Sequence, residues 1–339
     1  MERNALMKTG ITDGATAPRV TVSVVTHNNE RCLGAFLDAL RGQQGSEWEA
    51  CFFDSASSDE TLALLTAASP GEIHAHETNI GYGRGHNHNI KRCGSEYVLI
   101  LNADLSFGPD MIARLVHHMD THPAEAVAGP AILEGESKTP FPPRMFYPGE
   151  GMIPLEKGLR RSEIAWINGC CMMVRRSAIE SLGGFDQDYF LYQAETDLCL
   201  RARRAGFTVG HAADVVVIHL HRQSQRGVSG YAYGRKLFEG SAVFWRKHYS
   251  PGDFARMVRF QYWMSRLLLA LGKPLALLPS MSHVLRSDRL RARRDVCADL
   301  LSMQAEGRGP RAVPGRIVTR QSRVALEWLI RGRFPLDDY

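Results

Sequence analysis

Asp104 closes the string YVLILNAD, an unbroken apolar run over residues 97–101 followed by Asn102, Ala103 and Asp104. A run this short and this apolar reads as a buried strand. Open α/β sheets bind their ligands at the carboxyl ends of the strands, so a carboxylate placed there faces a ligand rather than the core. Aspartate is a hard oxygen donor, able to hold Mg²⁺ or Mn²⁺ against a diphosphate. The bland alternative is that Asp104 caps the turn before a helix opening at Pro109 and Asp110. Three other strand ends carry matching polar groups. Thr26, His27 and Asn28 end the first, Asp54 and Ser55 end the second, and Asn79 with the glycines through Gly85 follows the third. A carboxylate such as Asp54 can accept hydrogen bonds from a base or a ribose.

The elements that must position these groups alternate. Residues 20–26 form a β-branched strand, and Leu33, Phe36, Leu37 and Leu40 give the helical pattern after it. Residues 50–53 form the second strand. Ser58 or Asp59 can N-cap the next helix. A weaker strand at 73–76 leads into the glycine-rich string and a short helix; the strand at 97 and a helix over 111–119 follow. This spacing predicts a mainly parallel, doubly wound sheet. Further on come a strand at 127–133, a proline-rich loop at 134–163, ordered chain at 164–174 and a helix over 177–182. A helix over 195–205 and a strand at 215–218, ending at His219, complete the pattern.

At 339 residues the chain has room for one large domain with an appendage. The seven cysteines form no CxxC pair, and reduced, buried thiols of an intracellular protein are expected. Residues 1–18 hold no apolar core of a signal peptide and read as a loose leader. No window of about 18 apolar residues could span a membrane. Charge is uneven: from Pro251 onward there are 16 Lys and Arg against 8 Asp and Glu, and 25 against 28 before it. In that tail Met257, Phe260, Trp263, Met264, Leu267, Leu268 and Leu271 recur at helical spacing among Arg256, Arg259 and Arg266. The pattern fits a basic amphipathic helix on an anionic membrane surface, or a helix packed on the main domain with a solvated basic face. Binding of nucleic acid through the tail would be steeply salt-dependent; aromatics arranged to stack on bases are not evident, and no nucleic-acid partner is expected.

The string Gly81-Tyr82-Gly83-Arg84-Gly85 is a poor dinucleotide fingerprint, since it follows the third strand and His86 stands where a further glycine belongs. His74, His76, His86 and His88 read as ordinary polar residues rather than a zinc site. Six strings in order carry a better match: VSVVTHNN (22–29), FFDSASSDET (52–61), NIGYGRGHN (79–87), YVLILNAD (97–104), INGCCMMVRR (167–176) and GGFDQDYFLYQAETDLCLRARRAG (183–206). Together they resemble the family 2 glycosyltransferases of the GT-A fold, the rhamnosyltransferase-like branch in particular, over residues 20–249.

The resemblance implies a Rossmann-like sheet flanked by helices over residues 19–250, with a basic helical extension over 251–339. It also implies inverting, metal-dependent transfer of a sugar from a nucleotide diphosphate donor to an acceptor hydroxyl. By position, Asp54 would recognise the base. Asn79 and Asn87 would line the nucleotide site, which also takes in Thr26, His27, Asn28, Ser55, Gly81, Tyr82, Asn102 and Ala103. Asp104 would bind Mg²⁺ or Mn²⁺, and His219 would help hold the metal or diphosphate. The family's Glu-Asp-x-Asp string is Ala194-Glu195-Thr196-Asp197 here. Glu195 therefore takes the place of the base, with Asp197 supporting Arg201 or the site; the alternative is that Glu195 is a first-turn acid favoured by the helix dipole. Ser55, His86 and Asn89 also depart from the family pattern and leave the base and ribose preference open. The branch implies dTDP-rhamnose as donor, then a UDP-sugar. The acceptor would be lipid-linked or polysaccharide, at the cytoplasmic face of a membrane in cell-surface glycan synthesis. A catalytically decayed nucleotide-binding or scaffold protein is the rival.

Overall fold

The computed structural model describes residues 18–155, 163–220, 229–275 and 287–306. Apart from Pro18, the expected leader lies outside the described residues, as does the tail beyond 306. The described chain forms two compact units.

The first unit is built on a nine-stranded sheet in the order β3-β2-β1-β4-β8-β6-β9-β5, with β7 paired to β6. Its elements run β1 (Val20–Thr26), α1 (Glu30–Arg41), β2 (Trp48–Ser55), α2 (Thr61–Ala68), β3 (Glu72–His76), α3 (Tyr82–Ile90), β4 (Tyr97–Leu101) and β5 (Leu105–Phe107). Then come α4 (Met111–Thr121), β6 (Glu125–Glu134), β7 (Thr139–Phe141), β8 (Cys171–Arg175), α5 (Arg176–Ser181), α6 (Ala194–Arg204) and β9 (Thr208–His219). Pairing is parallel across β3, β2, β1 and β4, as the strand–helix alternation predicts. The other half of the sheet is mixed. β8 runs antiparallel to β4 and β6, β9 parallel to β6, and β5 antiparallel to β9.

Alternation along β1 shows how this sheet is held. Val20, Val22 and Val24 enter one apolar core with Phe52, Leu99 and Leu101, closed by Leu33, Phe36, Leu37 and Leu40 of α1 and by Ile112, Leu115 and Met119 of α4. The intervening Thr21 and Ser23 are buried as well, which costs stability unless they are hydrogen-bonded. Both are. Thr21 Oγ1 lies 2.7 Å from Ser95 Oγ, and Ser23 Oγ lies 2.8 Å from His86 Nδ1 and accepts from Asn89 Nδ2 at 3.0 Å. Asn89 also donates to the Cys51 carbonyl, so the residues that depart from the family pattern, His86 and Asn89, tie α3 to β1 and β2. Burial pushes the His86 imidazole down to about 3.

The second unit comprises α7 (Gly230–His248), α8 (Pro251–Leu275) and α9 (Ser287–Glu306), with short pieces around residues 148–155 and 191–193. It takes in α7 and so starts upstream of residue 251. The reason lies in side chains: Arg235 of α7 is buried and donates to Glu239 and, at 3.0 Å, to Asp299 of α9. A side chain at Gly234 would meet the Arg289 backbone at 3.1 Å, so α7 and α9 approach closely there. Ser229 caps α7 by accepting from the Ala232 amide. Among the described residues no helix is long and apolar enough to cross a membrane. All seven cysteines are free thiols, and all are buried.

Candidate active site

The expected polar groups gather at the carboxyl ends of β1, β2 and β4, but they are not equally available. Asp54 is 1 % exposed. Its Oδ1 accepts from Thr26 Oγ1 at 2.8 Å and Ser57 Oγ at 2.6 Å, and its Oδ2 accepts from the Ser57 amide at 3.0 Å. These bonds fasten a loop in which Ala56 takes φ 55, a left-handed conformation that costs a residue with a Cβ. Asp54 therefore holds the β2–α2 loop in shape. Ser55, also buried, donates to Asn79 Oδ1 and accepts from the Ile80 amide. Asn79 Oδ1 in turn accepts from the Gly81 amide. His27 pairs through Nδ1 with the Ser55 carbonyl, and Asn28, at φ 56, accepts from the Ser58 amide. His27, Asn28 and Asn79 keep part of their surface open, whereas Thr26, Asp54 and Ser55 do not.

The glycine string is a packing device. A side chain at Gly81 (φ +88) would strike the Phe190 carbonyl, one at Gly83 would meet Phe185, and one at Gly85 would meet Val25 and Phe53. The Gly-x-Gly-x-Gly spacing lets α3 sit directly on β1, β2 and the 185–190 loop. Asn87, expected to line the nucleotide site, has both ends of its amide committed. Nδ2 donates to the Phe185 carbonyl at 2.7 Å, and Oδ1 accepts from the Phe185 amide at 2.8 Å. It is buried and staples the 183–186 turn to α3. Ala103 likewise joins the apolar core rather than the site surface. Its neighbour Asn102 stays half-buried and donates its backbone amide to the Cys170 carbonyl.

A second cluster forms where β4, β6 and β9 end. Asp104 follows β4, and its carbonyl accepts from the Leu220 amide just past β9. His219 Nε2 lies 3.2 Å from Asp104 Oδ1, with both side chains about nine-tenths buried. Glu134, the last residue of β6, is in register with His219. Burial pushes the Cys170 thiol well up, and Cys171 and the carboxylates of Asp104, Glu134 and Glu195 push it the same way. All three carboxylates thus lie within electrostatic reach of one thiol. The strand-end rule would have found Glu134 had the strand been expected to run one residue further. The carboxylate oxygen suits Mn²⁺ or Mg²⁺, and the imidazole nitrogen beside it favours Mn²⁺ of the two. Among the described residues, the cluster with three protein ligands is elsewhere: His118, His122 and Glu125, at the start of β6 rather than its end.

Glu195 and Asp197 share the first turn of α6 and part company there. Asp197 is 1 % exposed, receives Arg201 Nε at 2.7 Å, and lies 3.4 Å from the Tyr189 hydroxyl. Arg201 also donates to the carbonyls of Leu182 and Gly184, so Asp197 anchors the turn through Arg201. Glu195 is half-buried. Its Cβ and Cγ pass so close to Gly169 that a side chain there would meet them at 3.2 and 3.4 Å. Tyr82 donates to the Gly169 carbonyl at 2.7 Å. Burial raises the Tyr82 phenol well above its ordinary value, and the Glu195 carboxylate adds to the rise. Gly169 was not singled out as a site residue; the need for a glycine appears only once Tyr82 and Glu195 are brought to it.

Comparison with known proteins bears on the fold and the class of enzyme. The Glycosyl transferase family 2 model matches residues 21–183. An N-acetylglucosaminyl-diphospho-decaprenol L-rhamnosyltransferase of Mycobacterium tuberculosis is 25 % identical over 310 residues, covering 80 % of this chain and 95 % of that one. The rhamnosyltransferase WbbL of Escherichia coli is 26 % identical over 175 residues, 45 % of this chain and 66 % of its own. Among solved structures, a mannosyltransferase from Pyrobaculum calidifontis in complex with GDP-mannose and Mn²⁺ superposes with a TM-score of 0.58. That likeness covers 84 % of this chain and 88 % of that one at 17 % identity, and it identifies the fold as GT-A. With the motifs of β1 to β8 in order and rhamnosyltransferases among its relatives, the chain is a glycosyltransferase whose residues 21–183 match family 2.

Proposed function

We propose that this enzyme moves a sugar, with inversion, from a nucleotide diphosphate to a hydroxyl of a lipid-linked or polysaccharide acceptor in cell-surface glycan synthesis. The observation that carries the reading is the pairing of Asp104 with His219 at 3.2 Å, in the neighbourhood that Glu195 shares. Relatives named as rhamnosyltransferases support rhamnose as the sugar; dTDP-rhamnose is our first choice of donor and a UDP-sugar the next.

Asp104 and His219 would hold a divalent ion beside the diphosphate of the donor. When bound, the ion supplies Lewis acidity that stabilises the departing diphosphate. The rest falls to side chains. His27, Asn28, Asn79 and Asn102 offer polar surface to the nucleotide, over a floor made rigid by Thr26, Asp54 and Ser55. Glu195 takes the proton of the acceptor hydroxyl as its oxygen bonds to the anomeric carbon. The bond from that carbon to the diphosphate breaks on the opposite face, and the diphosphate leaves with the electron pair. Asp197, through Arg201, keeps the first turn of α6 in place.

A thermal-shift panel of dTDP, UDP, GDP and CDP, each with and without Mn²⁺ or Mg²⁺, tests this reading. Stabilisation by one nucleotide, larger with metal and absent in Asp104→Ala, is expected. No response to any nucleotide would favour the decayed scaffold instead.

A further inference from the structure

Helix α8 is apolar on two sides. Phe254, Met257 and Val258 are buried, and Ser265 with them. The opposite side should be polar in a surface helix. Instead Phe260 is 49 % exposed, Trp263 60 %, Leu267 52 % and Leu271 42 %. Spaced three, four and four residues apart, they form one stripe about 16 Å long. Half of the exposed large apolar residues among those described lie on this stripe, whereas the others, such as Leu64 and Val216, are scattered over the first unit. Scattered residues of this kind are ordinary surface; a contiguous stripe marks a contact.

Charge identifies the contact. Arg256, Arg259 and Arg266 are exposed, and helical spacing puts Arg256 in line with the stripe and Arg259 and Arg266 along one flank of it. The acid on α8, Asp253, is paired with Arg256. The guanidinium of Arg266 lies 5.1 Å from the centre of the Trp263 ring and 5.7 Å from that of Tyr262. Tryptophan beside arginine suits the boundary between headgroups and acyl chains, where the ring is half immersed and the cation meets phosphate. The two readings of the tail helix, packed or membrane-facing, are therefore not exclusive. Met257 and Val258 pack inward, while Phe260, Trp263, Leu267 and Leu271 are left over.

We propose that the outward face of α8 docks on an anionic lipid bilayer, lying in its interface with the four apolar side chains immersed and Arg259 and Arg266 on the headgroup phosphates. This goes beyond the transfer reaction and does not depend on it.

The test is co-sedimentation of the full-length chain with vesicles of phosphatidylcholine alone or mixed with phosphatidylglycerol. Binding to the mixed vesicles, weakened by salt, is expected. A Trp263→Gln/Leu267→Gln double variant should lower the partition coefficient by at least ~10-fold with unchanged melting temperature. Arg259→Gln/Arg266→Gln should remove the preference for phosphatidylglycerol. Brominated lipid should quench fluorescence in the wild type and less in Trp263→Phe. Failure of the wild type to sediment with the mixed vesicles would overturn the proposal, as would undiminished sedimentation of the Trp263/Leu267 variant. A double variant that turned a wild-type dimer into a monomer, with vesicle binding intact, would reassign the face to a second copy of the chain.

Discussion

Asp54, closing β2, and Asp104, just beyond β4, occupy comparable places at the carboxyl edge of one sheet, and the protein treats them in opposite ways. Asp54 is wrapped by Thr26 and Ser57, with each oxygen accepting hydrogen bonds from the chain itself. Asp104 is set against an imidazole, and its carboxylate, like those of Glu134 and Glu195, acts on the Cys170 thiol. A saturated carboxylate stabilises the loop that carries it. A carboxylate set against an imidazole at a strand end is instead placed where a divalent ion could be held. The ends of β1 and β2 thus form a rigid floor, and the proposed metal site lies where β4, β6 and β9 end.

That division is open to direct attack. Asp104→Ala should lower kcat/KM by about 10³-fold or more, while the apo-protein melts no lower than wild type; a large fall in melting temperature would make Asp104 structural, like Asp54. Glu195→Gln should reduce kcat about 10²- to 10³-fold with KM nearly unchanged, measured by release of nucleotide diphosphate. Full turnover in that variant would remove Glu195 as the base. Asp54→Ala should do the reverse of Asp104→Ala. It strands Ser57 and Thr26 and should cost about 3 kcal/mol in denaturant unfolding. Asp54→Ala with native stability but lost nucleotide binding would place Asp54 in the site after all.

The smallest effect concerns His86. Its folded-state value near 3 lies below the ordinary 6.5, so the unfolded chain takes up a proton that the folded chain refuses. Stability is complete above about pH 6.5 and is lost as pH falls toward 3, by about 2 kcal/mol between pH 6.5 and 5. His86→Gln should flatten that part of a stability–pH curve. An unchanged slope would mean that His86 is not the proton-excluding group.

What could be read from the sequence followed strand ends. Asp104, Ser55 and His219 stand where a short apolar run stops, and that rule needs no tertiary information. It cannot tell whether a group at a strand tip is open or enclosed, since Asp54 is closed off by Ser57 through a loop whose left-handed turn falls on an alanine. Asn87 shows the same limit: the backbone it clamps, at Phe185, is 98 residues away. The reversal of direction at β8 was hidden too. Residues 164–174 read as ordered chain, but parallel or antiparallel pairing with β4 depends on where the preceding proline-rich loop returns the chain. The faces of α8 were beyond periodicity as well, because the spacing that marks an amphipathic helix holds on both of its apolar sides.

The seven enclosed thiols give this protein a built-in clock. Burial pushes Cys51, Cys199 and Cys297 up to about 12, and raises Cys32, Cys93, Cys170 and Cys171 as well. Thiolate is therefore scarce at every position until the chain around it opens. A thiol reagent added to the native enzyme then times local unfolding, with no label engineered in. Cys171 opens with β8 of the first unit and Cys297 with α9 of the second. Matching rates at the two would mean that the units come apart as one cooperative block; a faster Cys297 would show the helical unit opening on its own schedule while the catalytic sheet stays closed.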